Sequence, residues 1–386
     1  MEVLACPMGN SPNRLYSALA HTLSSGPLSQ HPPAELDQDQ DQEQELEPVD
    51  PVELLRECEE ALRTRPARLL RAFVRQGNSG RDCHQQPIRV MQWNILAQAL
   101  GEGMDSFVKC PLEALKWNER KYLILEEILT YQPDVLCLQE VDHYFDTFRP
   151  VLARLGYQSS FCPKPWSPCL DVENNNGPDG CALFFRRDRF QLLGTVHLHL
   201  AAMKLKTNQV AVVSTLRCRA TGRTLCVAVT HLKARSGWER LRSAQGHDLL
   251  RNLQNITRDA ALVAEDEGVG TGAGVPLLVC GDFNAEPSEE VYRRFATSSL
   301  GLDSAYKQLS SDGQTEPPYT TWKIRPSGES CNTLDYIWYS RQHLSVDTVL
   351  DFPTAEQIGP DRLPSYNYPS DHLSLVCDFT FSHLPE

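Results

Sequence analysis

The sequence predicts an α/β protein in which two mixed β-sheets pack face to face and helices cover the outside. From Ile88 onward, short apolar runs alternate with stretches of helical spacing. Several apolar runs end on polar residues that are unfavourable to bury without partners, as VCGDFNAEP does at Asp282. Other apolar runs begin directly after such residues. If all these polar groups share one edge, the strands must run in both directions.

The first 50 residues differ in composition from the rest of the chain. They contain nine acidic residues and one Arg, so they carry −8 of the total net charge of −13 and leave −5 for residues 51–386. This segment has few large apolar residues after Leu28, so burial cannot offset the entropy lost on ordering. We expect residues 1–50 to form a disordered acidic region.

Residues 51–87 are predicted to form a helical arm and linker that packs on the main domain. From Val52 to about Val74 the apolar residues have helical spacing, which Pro66 interrupts. The remaining residues, 88–386, are predicted to form one catalytic domain, because strands at both of its ends carry candidate site residues.

Two helices stand out within the catalytic domain, Leu112–Tyr131 and Trp238–Glu265. The Gly-rich stretch Ala264–Val275 lacks the GK[ST] ending of a phosphate-binding loop, so we interpret it as a surface loop.

Composition excludes several classes of protein. No run approaches the roughly 18 consecutive apolar residues that a membrane span needs. The 13 cysteines are odd in number, include no CxxC pair and lie partly inside apolar runs, which indicates small hydrophobic residues in a reducing compartment rather than disulfides or a zinc site. The acidic balance favours a short anionic substrate over a long polyphosphate backbone.

Six polar residues lie at predicted strand ends. Those at carboxyl ends are Asn94, Glu140, His231 and Asp282, and those at amino ends are Asp335 and His372. They can meet at one edge only if the last two strands run antiparallel to the others. The pattern therefore predicts mixed sheets with one shared polar site.

Glu140 is the leading candidate for a metal ligand. Mg²⁺ prefers a few carboxylate oxygens together with water and substrate phosphate. The alternative is that Glu140 caps the following helix. Comparable positions of Asn94, Asp282, Asn284 and Asp371 favour the metal site, because so many coincidences are difficult to attribute to capping.

His372 and Asp282 are the candidates for proton transfer. Hydrolysis of a phosphoester requires neutralisation of the phosphoryl charge and a water molecule aimed in line. Asp335 can orient His372 and stabilise its charged form, and Asp282 can act as the base for the attacking water. The alternative for a histidine at a strand end is a structural role.

Basic residues near aromatic residues are the candidates for phosphate binding. His231, Lys233 and Arg235 alternate along THLKAR, which in an extended segment places them on one face. Lys164 and Arg325 lie close in sequence to Trp166 and Trp322. Such pairs can hold a phosphate and stack on a base. Scattered surface charge and core tryptophans are the alternatives.

The ordered motifs WNIL, LQEVD, THLKAR, GDFNAEP, LDYIW and SDH resemble those of the endonuclease/exonuclease/phosphatase family of DNase I-like proteins, over Ile88–Phe381. The resemblance implies a four-layer α/β sandwich that catalyses Mg²⁺-dependent phosphoester hydrolysis with one or two metal ions, for which Mn²⁺ can substitute. It matches Glu140 to the principal metal ligand and Asn94 and Asp371 to further metal positions. It also matches Asp282 to the base, Asn284 to a phosphate-orienting residue, and His372 with Asp335 to the catalytic histidine and its partner.

Four further stretches, KPWSPCLDVE, NNGPDGCALFF, THLKARSGWERLRSAQG and RLPSYNYPSDHLSLVCDF, resemble one subgroup of the family. That subgroup was long placed with poly(A) 3′ exonucleases and is associated with removal of the 2′-phosphate from NADP⁺ and NADPH. The resemblance matches Lys164, Lys233, Arg235 and Arg325 to positions that hold substrate.

Three functions therefore remain open from the sequence. They are an NADP(H) 2′-phosphatase, a poly(A) exonuclease with RNA or mRNA-decay proteins as partners, and a binding protein that has lost activity. We expect a cytoplasmic monomer, with a mitochondrial location for a longer form and a nuclear location also open.

Overall fold

The computed structural model describes residues 47–75, 86–104, 106–266 and 274–382. Residues 1–46 of the predicted acidic region and the centre of the Gly-rich loop, residues 267–273, lie outside these ranges.

The described residues contain strands β1 (Phe73–Arg75), β2 (Ile88–Asn94), β3 (Val135–Val141), β4 (Tyr157–Pro163), β5 (Gly180–Arg186), β6 (Phe190–Ala202), β7 (Leu205–Cys218), β8 (Thr224–His231), β9 (Leu277–Asp282), β10 (Leu302–Ser304), β11 (Thr321–Arg325), β12 (Gly328–Asn332), β13 (Asp335–Ser340), β14 (Leu344–Leu350) and β15 (Leu375–Phe381). The α-helices are α1 (Pro51–Ala61), α2 (Leu112–Leu115), α3 (Trp117–Tyr131), α4 (Arg149–Arg154), α5 (Glu239–Asp266), α6 (Glu290–Ala296) and α7 (Ala355–Ile358).

Two large sheets form the centre of the protein. The first has the order β1-β14-β15-β2-β3-β5-β4, the second has the order β10-β13-β9-β8-β7-β6, and β11 with β12 forms a separate hairpin. Both large sheets are mixed. Strand β2 is parallel to β3 and antiparallel to β15, and β9 is parallel to β8 and antiparallel to β13. The sequence prediction that the last two site strands run against the others is confirmed.

The alternation of side chains along the strands divides the core into layers. Val90 in β2 and Cys137 in β3 contribute to the cluster between the sheets, together with residues of β8 and β9. The neighbouring Met91 and Trp93 point the other way and pack against α3. Helices α5 and α6 cover the outer face of the second sheet. The result is helix, sheet, sheet and helix, which confirms the predicted four-layer sandwich.

Buried cysteines are part of this core. Cys137, Cys226, Cys280 and Cys377 are free thiols without accessible surface. This agrees with the prediction that these cysteines serve as small hydrophobic residues.

The arm departs from the predicted helical structure in its second part. Helix α1 begins after Asp50, whose side chain accepts a hydrogen bond from the Val52 amide, and it ends at Ala61, before Pro66. The chain then runs irregularly to β1, which pairs with β14 at the edge of the first sheet. The prediction of helical structure as far as Val74 is wrong, because pairing with a sheet edge outweighs local spacing there.

The predicted helix Leu112–Tyr131 is also interrupted. Lys116 has an extended backbone, with φ −62° and ψ 131°, and it separates α2 from α3. Helix α5, by contrast, spans almost the predicted range. Among the described residues, none of the helices combines the length and the apolar character that crossing a bilayer requires.

Candidate active site

The predicted site residues meet at one edge of the two sheets. Strands β2, β3, β8 and β9 end there, and β13 and the segment before β15 start there. The inward-facing parts of these strands are nearly continuous apolar runs, so the polar residues at their ends are held by rigid backbone.

His372 is held by Asp335 from the other sheet. The distance from His372 Nδ1 to Asp335 Oδ2 is 2.8 Å, and both side chains are buried. Burial alone would lower the pKa of His372, but the negative charges of Asp335 and Asp282 outweigh it and raise the pKa to about 9. His372 is therefore protonated near neutral pH.

Asp282 lies between the two histidines of the site, His231 and His372. Its Oδ2 atom accepts a hydrogen bond from Asn94 Nδ2 at 2.9 Å and lies 3.5 Å from His231 Nε2 and 3.8 Å from His372 Nε2. Its Oδ1 atom accepts from the backbone amide of Asn284 at 2.8 Å. Burial raises the pKa of Asp282 from its ordinary value toward neutrality. That direction suits a group that must take up a proton.

The side-chain NH₂ group of Asn94, which contacts Asp282, also contacts Glu140. Asn94 Nδ2 donates to Glu140 Oε1 at 2.9 Å, and the Ala97 amide donates to Oε2 at 3.2 Å. Burial, with the nearby carboxylates Asp371 and Asp179, raises the pKa of Glu140 to about 7. The backbone of Glu140 has φ +56°, an uncommon value for a non-glycine residue and one that recurs at functional sites.

Asp371 is paired with two cations of β11. Lys323 Nζ lies 2.5 Å and Arg325 Nη2 lies 3.4 Å from Asp371 Oδ2. Burial would raise the pKa of Asp371, but Lys323, His372 and Arg325 together hold it well below the ordinary range. Asp371 is therefore ionised and already charge-balanced.

Lys164 is a buried cation beside this group. Its Nζ atom donates to Asp179 at 2.6 Å and lies 3.5 Å from His231 Nδ1. Burial opposes the charge, yet Asp179 and Glu140 raise the pKa of Lys164 above its ordinary value. Burial and the positive charges of Lys164 and His372 lower the pKa of His231 far below its ordinary value, so His231 is neutral.

Lys233 and Arg235 follow on the loop after β8. Strand β8 ends at His231, and Arg235 has φ +78°, so the extended segment expected through Arg235 is not formed. Partial burial, Arg235 and Lys164 all lower the pKa of Lys233, in that order of size. These three cations are therefore close enough to act on one another electrostatically, although a turn rather than a strand places Lys233 and Arg235, and Lys164 follows β4.

The aromatic neighbours of the predicted cations have different environments. Trp322 packs on Tyr319 and carries the guanidinium of Arg362 at 4.0 Å from its ring centroid, so it is part of a local cluster. Trp166 is 48% exposed. Arg325 lies over Phe107, with 4.4 Å between the guanidinium carbon and the ring centroid.

Two groups of side chains could hold a metal ion. Asp282, Asp335 and His372 have ligand atoms within 4.8 Å of one another. A protonated imidazole cannot bind a metal, so the contact of His372 Nδ1 with Asp335 and the raised pKa of His372 favour a charged histidine over a metal ligand. The carboxylate oxygens of Glu140 are hard ligands, and the unfavourable ionisation of Glu140 is what a divalent cation would relieve. Glu140 therefore fits a hard divalent cation. Asn94 does not match its predicted role as a ligand, because its Oδ1 atom accepts from the Leu96 amide at 3.1 Å and its side-chain NH₂ group faces Glu140 and Asp282.

Several residues of the site were not singled out in the sequence. Gln92 Nε2 and Thr320 Oγ1 donate to Asp335 at 3.1 and 2.7 Å, Asp179 pairs with Lys164, and Lys323 pairs with Asp371. Lys323 had a detectable signal, because it alternates with Arg325 along TWKIR and therefore shares its face of a strand.

Comparison with known proteins agrees with this geometry. The sequence profile of the endonuclease/exonuclease/phosphatase family matches residues 91–372. The chain is 66% identical to nocturnin of Homo sapiens over 377 residues, which cover 98% of this chain and 84% of that protein. It is 28% identical to the Ccr4 3′-5′-exoribonuclease subunit of the CCR4-Not complex of Yarrowia lipolytica, over 70% of this chain and 45% of that protein.

A solved structure shows the same architecture. The human nocturnin catalytic domain with a bound sulfate anion superimposes with a TM-score of 0.67 at 61% identity, covering 83% of this chain and all of that chain. The family match includes the segments that carry Asn94, Glu140, Asp282 and His372. On the profile match, the sequence identity and the fold together, the chain belongs to the endonuclease/exonuclease/phosphatase family.

Proposed function

We propose that this chain is a metal-dependent phosphatase that removes the 2′-phosphate of NADP⁺ and NADPH to give NAD⁺ and NADH. The observation that carries the proposal is the convergence of two sets of groups at one edge of the sheets. Asp282 and His372 are buried there and can take up a proton or carry positive charge. Lys164 and Lys233 act electrostatically on the neighbouring His231, and the exposed Arg235 lies on the same loop as Lys233, so we assign these three cations to the phosphate. The strong similarity to nocturnins directs the choice of substrate.

Mg²⁺ is the proposed metal, as one or two ions, and Mn²⁺ could replace it. Glu140 would hold it, with Asp371 nearby as a further charged group, and the side-chain N–H of Asn94 would keep the Glu140 carboxylate in place. A bound Mg²⁺ would neutralise charge on the phosphate and favour ionisation of a water molecule.

The protein side chains have separate roles in the proposed reaction. Asp282 takes a proton from the water that attacks phosphorus, while the bond between phosphorus and the 2′-oxygen breaks and the 2′-oxygen takes a proton from solvent to leave as the ribose hydroxyl. His372 is positively charged and stabilises the phosphoryl oxygens, with Asp335 fixing its orientation.

His231 and Asn284 complete the proposed site. His231 is neutral, so one of its ring nitrogens carries a proton that it can donate to a substrate oxygen. The side-chain amide of Asn284 donates to the Leu232 carbonyl at 3.1 Å, which fixes it beside Asp282 and leaves its second N–H for a phosphate oxygen. Arg325 extends the cationic surface on the side of Asp371.

The net charge of the protein favours a small substrate over RNA. Residues 51–386 carry a net charge of −5, so a long polyanion would gain no general attraction beyond the immediate site. A dinucleotide needs only the local cations. Poly(A) exonuclease activity is the second candidate, favoured by the similarity to a CCR4-Not exoribonuclease subunit.

The proposed catalytic domain comprises residues 88–386, with residues 51–87 as the arm. Within the arm, β1 extends the first sheet through its pairing with β14. The arm therefore contributes an edge strand to the first sheet of the domain.

A direct comparison of substrates tests the proposal. The purified chain is incubated with Mg²⁺ and either NADPH or oligo(A), and released phosphate and shortened oligonucleotides are measured. We expect phosphate from NADPH, and no phosphate from the matched variant His372→Ala. Shortening of oligo(A) without phosphate release from NADPH would favour the exonuclease. Inactivity on both substrates with metal bound would favour a binding protein.

A further inference from the structure

Arg242 is a buried arginine in the first turn of α5, with 2% of its surface exposed. Its guanidinium forms a fork with Glu289, in which Nε donates to Oε2 at 3.0 Å and Nη2 donates to Oε1 at 2.8 Å. Its Nη1 atom donates to the backbone carbonyls of Lys233 at 3.1 Å and Arg235 at 2.8 Å. One side chain therefore connects the cationic loop after β8 with the residue that precedes α6.

The cationic loop needs such support. Arg235 has φ +78°, a conformation that costs energy in a residue with a side chain and persists only when neighbouring contacts impose it. Arg242 binds the carbonyl of this same residue. The loop is also held by Gln245, whose Oε1 accepts from the Lys233 amide at 3.2 Å, and by the Asn284 side chain on the Leu232 carbonyl.

The other end of the connection leads to the proposed base. Glu289 lies seven residues after Asp282, at the amino end of α6. The Asp282 backbone carbonyl accepts a hydrogen bond from Leu232, so the loops after β8 and β9 already touch at the site. Arg242 and Glu289 join the same two loops a second time, farther from the sheets.

We propose that Arg242 and Glu289 form a clamp that positions Lys233 and Arg235 for binding the phosphate group of the substrate. The proposal rests on the proposed function insofar as these two cations bind phosphate. Arg242 is a positioning residue, because its donors are engaged by Glu289 and by the loop carbonyls. Lysine cannot reproduce the clamp, since one compact ammonium lacks the planar fork that reaches all these acceptors.

The first test compares Arg242→Lys with Arg251→Lys, a matched control on the same helix whose guanidinium is exposed although it pairs with the buried Asp248. The measurements are binding of inorganic phosphate by calorimetry in Mg²⁺, and KM and kcat for NADPH. We expect Arg242→Lys to weaken phosphate binding and raise KM by about tenfold while kcat changes by less than about threefold, and Arg251→Lys to change neither. Unchanged phosphate affinity in Arg242→Lys would overturn the clamp, whatever happens to thermal stability.

The second test measures coupling. Arg235→Ala is made in the wild-type protein and in Arg242→Lys, and the loss of phosphate affinity is compared. If the clamp positions Arg235, the loss of phosphate affinity caused by Arg235→Ala must be smaller in Arg242→Lys than in the wild-type protein, by about threefold or more. Additive losses would contradict the proposal, because a merely structural Arg242 gives additivity.

The outcome separates the clamp from the proposed function. A wild-type protein that binds inorganic phosphate but does not hydrolyse NADPH would refute the substrate, and the phosphate affinities of the same variants would still decide the clamp. A wild-type protein that does not bind inorganic phosphate in Mg²⁺ would overturn the clamp itself.

Discussion

The Nδ1 atom of His372 lies 2.8 Å from Oδ2 of Asp335, although the strands that these residues precede or begin belong to different sheets. The hydroxyl of Thr320 donates to the same carboxylate oxygen, and Gln92 from the first sheet donates to the other one. With both oxygens engaged, the carboxylate has little freedom to rotate. The pair therefore holds the imidazole in one orientation and joins the sheets at the site.

Asp335→Asn should move the alkaline limb of the pH profile of kcat to lower pH. In the wild-type protein the pKa of His372 is about 9, so protonated His372 is lost only as the pH rises through that value. Without the charge of Asp335, burial dominates and lowers that pKa. The measurement is kcat between pH 6 and 10 at saturating Mg²⁺. Asp188→Asn, which changes an exposed pair with Arg186, is the control. An unmoved limb would remove Asp335 from this role.

Glu140→Gln should abolish activity that depends on Mg²⁺ and yet stabilise the metal-free protein. The folded pKa of Glu140 is about 7 against 4.5 ordinarily, so ionisation disfavours folding. As the pH rises from 4.5 to 7, the unfolded chain loses this proton first, and the metal-free wild-type protein loses stability that Glu140→Gln retains. Urea unfolding at pH 5 and pH 8 measures the difference.

Addition of Mg²⁺ should reverse the order of stability. At 100 times the dissociation constant, a ligand that binds only the folded state contributes about 2.7 kcal/mol. This increment should appear in the wild-type protein and be absent from Glu140→Gln. Equal stabilisation of both proteins by Mg²⁺ would place the metal elsewhere.

Arg235→Lys and Lys164→Ala should each lower kcat/KM on NADPH by about tenfold or more, a loss of at least 1.4 kcal/mol of transition-state stabilisation. Arg binds a phosphomonoester through a fork of donors that Lys lacks, so Arg235→Lys is harmful despite the retained charge. Lys206→Ala, at an exposed position in β7, is the control. Variants that process NADPH normally but lose activity on oligo(A) would assign the pocket to RNA.

Arg71→Ala should destabilise the fold by about 2 kcal/mol or more, because it removes one of the two arginines that pair with the buried Glu127 and leaves the Ser374 carbonyl without this donor. Arg71 is buried, and its Nη2 atom lies 2.6 Å from Glu127 Oε1, while Nη1 donates to the Ser374 carbonyl at 2.8 Å. Urea unfolding measures the loss. Arg63→Ala, which removes an exposed pair with Glu60, should change stability by less than about 0.5 kcal/mol. Equal losses of stability in Arg71→Ala and Arg63→Ala would mean that Arg71 does not hold the arm to the domain.

The sequence was sufficient to predict the layers of the fold and the polar residues at the strand ends. Rigid, buried strands make a polar terminal residue conspicuous, as at Asn94 and Asp282. Asp179 gave no such signal, because it lies in an irregular segment and meets Lys164 only in the folded chain. Arg71 and Arg242 were missed for a related reason. Most arginines are exposed, and sequence spacing does not show which of them the fold buries.

Helix boundaries were predicted less well than strand ends. Spacing around Leu69 and Leu70 suggested helix, but Leu70 is 71% exposed and only Leu69 enters the core. In this segment one buried residue, Leu69, is followed by a strand that pairs with the edge of the first sheet. Local periodicity cannot predict pairing with a strand as distant in sequence as β14.

The hydrogen bond from Asn94 to Asp282 has a consequence for how the protein acquires its activity. Its two residues end strands of opposite sheets, so neither sheet can assemble the site alone. During refolding, catalysis should therefore return only when the two sheets have docked, and not with the strand pairing of either sheet alone.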